Sequence, residues 1–253
     1  MFLITDWWFY VVAIPAVMLT GISKGGFGGA LGGIAVPLMA LAISPVQAAA
    51  IMLPILCLMD FFSFKIYLGK WDYANLKIML PGALIGIALG TLTFDKLDEN
   101  TIRLLIGGIA VAFTLNAWFG FAARQARTGR SVAKGTVWSA VSGYTSFVAH
   151  AGGPPVMIYL LPQQLDKITY VATVNLFFMA VNAIKLIPYA FLGQFSTTNL
   201  VTALVLAPLV PLGVWFGYWL QGRLNQQWFY RIAQVGVLVT GLQLIYQGIA
   251  GGR

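Results

Sequence analysis

The chain alternates long apolar runs with short polar breaks. Ten apolar segments stand out, at roughly 7–22, 28–43, 46–68, 74–94, 101–123, 133–149, 153–163, 167–193, 199–221 and 229–248. A helix that crosses the ~30 Å hydrocarbon core needs about 20 apolar residues. Most of the segments approach that length, whereas 28–43 and 153–163 are short. Unbroken runs such as 76–94 and 104–123 lack the alternation that marks β-barrel strands of about 10 residues. Each short segment follows a glycine-rich break, at 25–29 and at 152–153. The first two segments, and again the sixth and seventh, therefore read as helical hairpins whose tips stop inside the membrane.

The pattern repeats. Pro81, Gly86 and Gly90, written P-x4-G-x3-G, match Pro208, Gly213 and Gly217. Leu68-Gly69 followed by Asn75 matches Leu192-Gly193 followed by Asn199, and Gly28-Gly29 matches Gly152-Gly153. Met59 and Lys65 match Met179 and Lys185. These matches divide the chain into a first repeat, 1–123, a basic linker, 124–134, and a second repeat, 135–253, together one transmembrane domain. About five segments per half is an odd number, so the halves run in opposite orientation. The expected fold is an all-α polytopic membrane protein built as an inverted repeat, each half with a glycine-broken helical hairpin. Such a design places a binding site near the midplane. Were 7–43 a single tilted helix, each half would have four segments and the repeat would be parallel. The glycine breaks favour the hairpins.

Composition agrees with membrane insertion. Of 253 residues 59% are hydrophobic and only 9% charged, against about 25% charged in soluble domains. The net charge of +8 does not indicate nucleic-acid binding, because the basic residues lie mostly between apolar runs. Arg124, Arg127, Arg130 and Lys134 form the strongest cluster, and the positive-inside rule places it in the cytoplasm. Tracing outward from it puts 69–74, 163–167 and 222–227 inside, with 95–100 and 193–198 outside. Cys57 is the single cysteine, so neither an internal disulfide nor a thiolate metal site is expected. The N-terminus has no basic region and carries Asp6 before its first apolar run, so no cleaved signal peptide is expected.

The stretch GISKGGFGG, residues 21–29, sets Lys24 among glycines within an apolar run. A lysine at that depth is costly and marks a functional candidate. A broken helix exposes backbone N–H groups, which are tolerated in a membrane only where they line a cavity. The N–H groups that open a helix attract anions, and glycine allows close approach of the backbone. Ser23, Lys24, Gly25, Gly26, Gly28 and Gly29 are thus candidate substrate contacts. The second break offers Ser146, His150 (the only histidine), Gly152, Gly153 and Pro154. Pro154 and Pro155 suit the first turn of a new helix. Tips that meet would form a small cationic pocket rich in donors, suited to a small oxyanion.

Plainer explanations exist for each feature. Glycines at this spacing also serve close helix packing. Lys24 could snorkel to an interface, and Lys65, near the end of its segment, is well placed to do so. His150 could be a hydrogen-bonded core residue. Lys185 lies deeper than Lys65 and is the better pathway candidate. Asp60 either pairs with a lysine or carries a proton. Asn175 and Asn182, one heptad apart on one face, either hold helices together or line the pore.

G-x-S-K-G-G-F-G-G near the start, with His150-Ala-Gly-Gly-Pro-Pro at the centre, resembles the sulfite exporter TauE/SafE family of prokaryotic membrane proteins. The resemblance covers essentially the whole chain. It implies transport of small sulfur-containing anions such as sulfite, thiosulfate or organosulfonates, and a multi-pass location in the prokaryotic inner membrane. By motif match it carries over Ser23, Lys24 and the adjoining glycines, then His150, Gly152, Gly153 and Pro154.

The leading expectation is a secondary transporter, an exporter, with no cofactor. Its partners are a small anionic substrate and membrane lipid; nucleic acid is not one of them, and a homodimer is compatible. No Walker-type G-x4-G-K-[ST] occurs, so ATP does not drive it directly. An anion channel with the same pocket is one alternative. The other is an enzyme, since Gly21-Ile-Ser23-Lys-Gly25 fits G-x-S-x-G and His150 could complete an intramembrane dyad. That motif requires a strand–turn–helix setting, which a transmembrane hairpin does not provide.

Overall fold

The computed structural model describes residues 3–28, 32–94, 96–119, 128–221, 223 and 226–250. Among these, every regular element is helical. The α-helices are α1 (Trp7–Gly26), α2 (Ala35–Met39), α3 (Pro45–Ile66), α4 (Tyr73–Phe94), α5 (Glu99–Phe119), α6 (Val132–Ala149), α7 (Gly153–Leu160), α8 (Lys167–Phe191), α9 (Thr197–Leu206), α10 (Leu209–Gln221) and α11 (Gln226–Ile249). By length and composition α1, α3, α4 and α8 can each cross a membrane. The pair α9 and α10 passes the same test together, although bent by 44°.

Local sequence sets these ends. Asp6, Ser44, Ser131, Asp166 and Ser196 each turn a side-chain oxygen onto a free N–H in the first turn that follows. Each such cap satisfies a donor that the helix cannot pair internally. Pro45 opens α3, where its missing N–H costs nothing. Pro154 and Pro155 do the same in the first turn of α7.

Three boundaries depart from the hydrophobic pattern. The helix expected to end near 22 runs on through Ser23, Lys24, Gly25 and Gly26, and Phe27 caps it. The expected break at 25–29 therefore begins later, at Gly28, whose φ of +64° suits glycine. Gly29 lies outside the described residues. Among the described residues, the expected segment 28–43 holds a 3-10 turn, Gly32–Ile34, and the five-residue α2. The expected segment 199–221 is broken between α9 and α10, where Pro208 cannot donate to the helix ladder.

Glycines decide which helices meet. A Cβ on Gly25 would lie 2.0 Å from the Val214 carbonyl oxygen, and one on Gly26 2.2 Å from that of Gly217. Gly21 faces Gly213. Thus α1 and α10 run in the same direction with their backbones in contact. Likewise Gly82 meets Thr136, Gly86 meets Ala140, and Gly90 meets Phe147, so α4 and α6 also run alongside in one direction. The two P-x4-G-x3-G motifs serve these two seams. In contrast α5 and α11 are antiparallel, since Gly107 faces Gly241 and Ile245 while Gly248 faces Leu104. The central helices α3 and α8 pack together and are antiparallel too: Asp60 bonds Asn182, while Asp72, beyond the end of α3, bonds Thr173 near the start of α8. The short α2 packs on α1, and α7 on α6.

Candidate functional site

The midpoint of α3 and α8 carries a cluster of buried polar side chains. On α1, Lys24 is 3% exposed and forms an ion pair with Asp60 of α3, which is 2% exposed. Asp60 also accepts a hydrogen bond from Asn182 Nδ2 of α8 at 2.7 Å. Lys185, one turn further on α8, is fully buried. Its Nζ donates to Ser146 O at 2.9 Å, to Ser146 Oγ at 3.0 Å and to His150 Nδ1 at 2.7 Å. The other ring nitrogen, Nε2, lies 2.9 Å from Ala49 O. A carbonyl only accepts, so Nε2 carries the proton and Nδ1 accepts from the lysine. Among the described residues, Lys185 has no carboxylate within ion-pair distance; all three of its bonds go to neutral groups.

Lys24 of the first motif and three residues of the second border a common space. Lys24, Ser146, His150, Gly153 and Asn182 line one cavity together with Leu56 and Phe178. It offers about 20 Å³ of space for water centres, room for about one water. His150 ends α6 in the left-handed conformation, φ +53°, which turns the chain so that α7 begins at the cavity wall.

The remaining candidates have other places. Ser23 is fully buried in the last turns of α1. Gly25 and Gly26 face α10 and serve packing, and Gly28 makes the turn after α1 against Tyr170 and Val171. Lys24 sits at the C-terminal end of its helix, where the dipole favours a cation. Lys24 therefore stands beside the carbonyl end of α1, not beside N–H groups that open a helix. Gly152 accepts a bond from Ser142 Oγ at 2.8 Å and packs on Phe178. Pro154 stays in the first turn of α7, half-buried. Asn175 donates to Lys24 O at 3.0 Å. Lys65 does not join the cluster; it is exposed, its ammonium 4.3 Å from the Phe61 ring centroid. A Ser23–His150 dyad does not form, since both ring nitrogens are engaged with Lys185 and Ala49.

One bond recurs at equal spacing in the two halves, and the spacing of two others is kept without a bond. Tyr67 donates to Gly25 O at 2.7 Å and Tyr189 to Phe147 O at 2.6 Å, and both pairs are 42 residues apart. Lys24 and Asp60 are 36 apart, and Ser146 and Asn182 keep that spacing. Lys185 and Ser146 are 39 apart, as are Ser63 and Lys24. At the offset of the two tyrosines, Ser63 corresponds to Lys185, whereas the residue matches paired Lys65 with it. Each half holds one lysine and one serine, in exchanged places. Tyr67, Tyr189 and Ser63 carried no sequence signal, because single hydroxyls in apolar helices are common.

Aromatic rings close one side of the cluster. Phe147 lies 5.2 Å from Tyr189 and 5.7 Å from Phe94, and Tyr189 lies 6.2 Å from Phe195. At the opposite end, Asp72 binds Arg130 at 2.9 Å and caps α4 through the N–H groups of Ala74 and Asn75. Burial raises the Asp72 pKa, but bonds from Asn75, Arg130 and Ala74 outweigh it and hold the carboxyl below the usual range. Asn75 links to Gln163 and Tyr159 at this end.

Comparison with known proteins adds one finding. A family model described as Sulfite exporter TauE/SafE matches residues 13–244. No curated protein and no solved structure matches the chain.

Proposed function

Because the chain belongs to the TauE/SafE sulfite exporter family, we propose that it is a secondary transporter carrying small sulfur-containing anions, sulfite, thiosulfate or an organosulfonate, outward across the prokaryotic inner membrane. The observation that carries this reading is the charge of the central cluster. Lys24 and Asp60 compensate each other, while Lys185 is buried with neutral partners only. A buried charge without a counter-ion is costly, and a bound anion supplies one. Lys24 Nζ, Ser146 Oγ and Asn182 are the groups that would hold it, with His150 orienting Lys185.

The pairing of helices supports an inverted repeat. Exchanging the halves turns the seam of α1 with α10 into that of α6 with α4, and maps α3 with α8 and α5 with α11 onto themselves. Both self-paired seams are antiparallel, as a two-fold axis in the membrane plane requires. Such an arrangement suits alternating access about a fixed midplane site. The small cavity and the aromatic cluster beside Phe147 fit an occluded state. A membrane potential negative inside favours anion exit, by about 2.3 kcal/mol per charge per 100 mV, so efflux needs no coupling ion.

The test is purified protein in liposomes loaded with sulfite, its release followed under imposed voltage beside empty liposomes. Saturable, voltage-sensitive release supports the proposal. No release of sulfite, thiosulfate or small sulfonates above the control overturns it, and conductance that does not saturate would assign a channel instead.

A further inference from the structure

A second cavity lies along the α3–α8 seam, between the central cluster and the turn from α3 to α4. Ser63, Phe64, Tyr67, Trp71, Asn175 and Met179 are among the residues that line it, and it offers about 10 Å³ of space for water centres. Three of them carry a buried polar atom with no partner: Ser63 Oγ, Trp71 Nε1 and Asn175 Oδ1. Ser63 is fully buried and Asn175 is 3% exposed. Three orphaned polar atoms around one small cavity need a ligand, because a buried group without a partner loses its hydration for nothing. The position of Ser63 explains the space. It is the counterpart of Lys185, so a short hydroxyl stands where the other half holds a long ammonium.

We propose that this chamber is a second substrate subsite, for a small oxyanion that still carries a proton, on the path between the central cluster and the α3–α4 end. The proposal rests on the transport reading above. The donor set fixes the ligand class. Trp71 Nε1 only donates, and Ser63 Oγ can donate, so both serve the ligand's oxygens. Asn175 gives its NH2 to the Lys24 carbonyl, which leaves the carbonyl oxygen Oδ1 for the chamber. That oxygen would repel a bare oxyanion and accepts from an O–H. A protonated oxyanion satisfies all three atoms and brings no more than one negative charge to a chamber that has no cation among its lining residues. Expansion of the chamber must accompany entry, since it holds about one water as it stands.

Two measurements on the full chain decide the matter. The first is a crystal structure grown with selenite, a proton-bearing oxyanion at neutral pH whose selenium is located by anomalous scattering. Selenium within hydrogen-bond reach of Ser63 and Trp71 is expected; water alone in the chamber, or selenium only at the central cluster, overturns the proposal. The second is sulfite efflux from liposomes by Ser63→Ala and by Trp71→Phe, which keeps the stack on Phe64. Each should lower the rate at low sulfite about tenfold and change the rate of thiosulfate, which carries no proton at that pH, much less. Unchanged sulfite rates, or equal losses for both anions, overturn it. If the wild type moves no anion, the transport reading has failed, and the selenium map still decides whether the chamber binds.

Discussion

Replacing Lys185 with methionine removes the uncompensated charge and keeps most of the side chain's volume. The size of the effect follows from the geometry. Lys185 Nζ lies 3.0 Å from Ser146 Oγ, and one further hydrogen bond reaches an anion in the cavity, so the charges stand roughly 5–6 Å apart. At an effective dielectric constant of about 20 this separation is worth about 3 kcal/mol, or about a hundredfold in affinity. The assay is equilibrium binding of radiolabelled sulfite to purified protein, with efflux from liposomes beside it. Thermal unfolding without anion is the control. Losing three bonds leaves His150 Nδ1 without its donor, while Ser146 O keeps the His150 backbone N–H, and removing a charge that lacks a counter-ion offsets the loss. The anion-free melting temperature should therefore shift by only a few degrees, while stabilisation by added sulfite disappears. Unchanged sulfite affinity in Lys185→Met would refute the argument. So would a collapse of the anion-free protein, which would make Lys185 a folding residue.

Other perturbations probe the same physics. Asn182→Asp replaces the amide that donates to Asp60 with a second carboxyl, which repels the first unless the two share a proton; it should weaken anion binding and lower the melting temperature, and retained affinity with retained stability would contradict the charge argument. Lys24→Met leaves Asp60 buried and unpaired, which costs about 3–5 kcal/mol, and adding Asp60→Asn should restore folding, as read by monomer recovery from the membrane. Gly25→Ala forces a Cβ into the Val214 carbonyl and should lower the melting temperature, whereas Gly108→Ala, with nothing within 4 Å, should not. The depressed Asp72 pKa makes a stability contribution that is complete above the unfolded value of about 3.9 and is lost as pH falls through the folded one. Arg130 is 52% exposed, so the ion pair is worth about 0.2–1 kcal/mol, and the melting difference between wild type and Asp72→Asn should shrink from pH 6 toward pH 3.

The sequence made some features legible and hid others, for physical reasons. Length and apolar runs were enough for α3, α4 and α8, because a span is a one-dimensional property. The end of α1 was misplaced because glycine reads as a breaker, whereas in a membrane it also lets helices touch; Gly25 and Gly26 do the latter. Lys24 and His150 stood out as rare polar groups at depth, and they do line one cavity. The partner of Asp60 could not be chosen, since both Lys24 and Asn182 reach it through tertiary packing. The residue matches paired Lys65 with Lys185, whereas the offset of the Tyr67 and Tyr189 bonds pairs Ser63 with it. That offset comes from two tertiary hydrogen bonds, which single letters along the chain do not display.

On the proposed function, that alignment accounts for the sign of the site. Each half contributes one lysine and one serine at its two equivalent places, Lys24 with Ser63 and Ser146 with Lys185. Each also contributes one short carboxyl-like side chain at the midpoint, Asp60 in the first half and Asn182 in the second, and these two bond to each other. Asp and Asn have the same shape and differ by one charge. With two aspartates the cluster would lose the amide donor and set two carboxyls against each other, and a second negative charge would cancel the attraction for an entering anion. With two asparagines both lysines would be uncompensated, at a desolvation cost that a marginally stable fold bears poorly. One of each leaves a single positive charge on a framework that the acid and the amide both hold in place. On the proposed function that excess matches one small anion, and it arises where Asp60 and Asn182 differ in charge but not in shape.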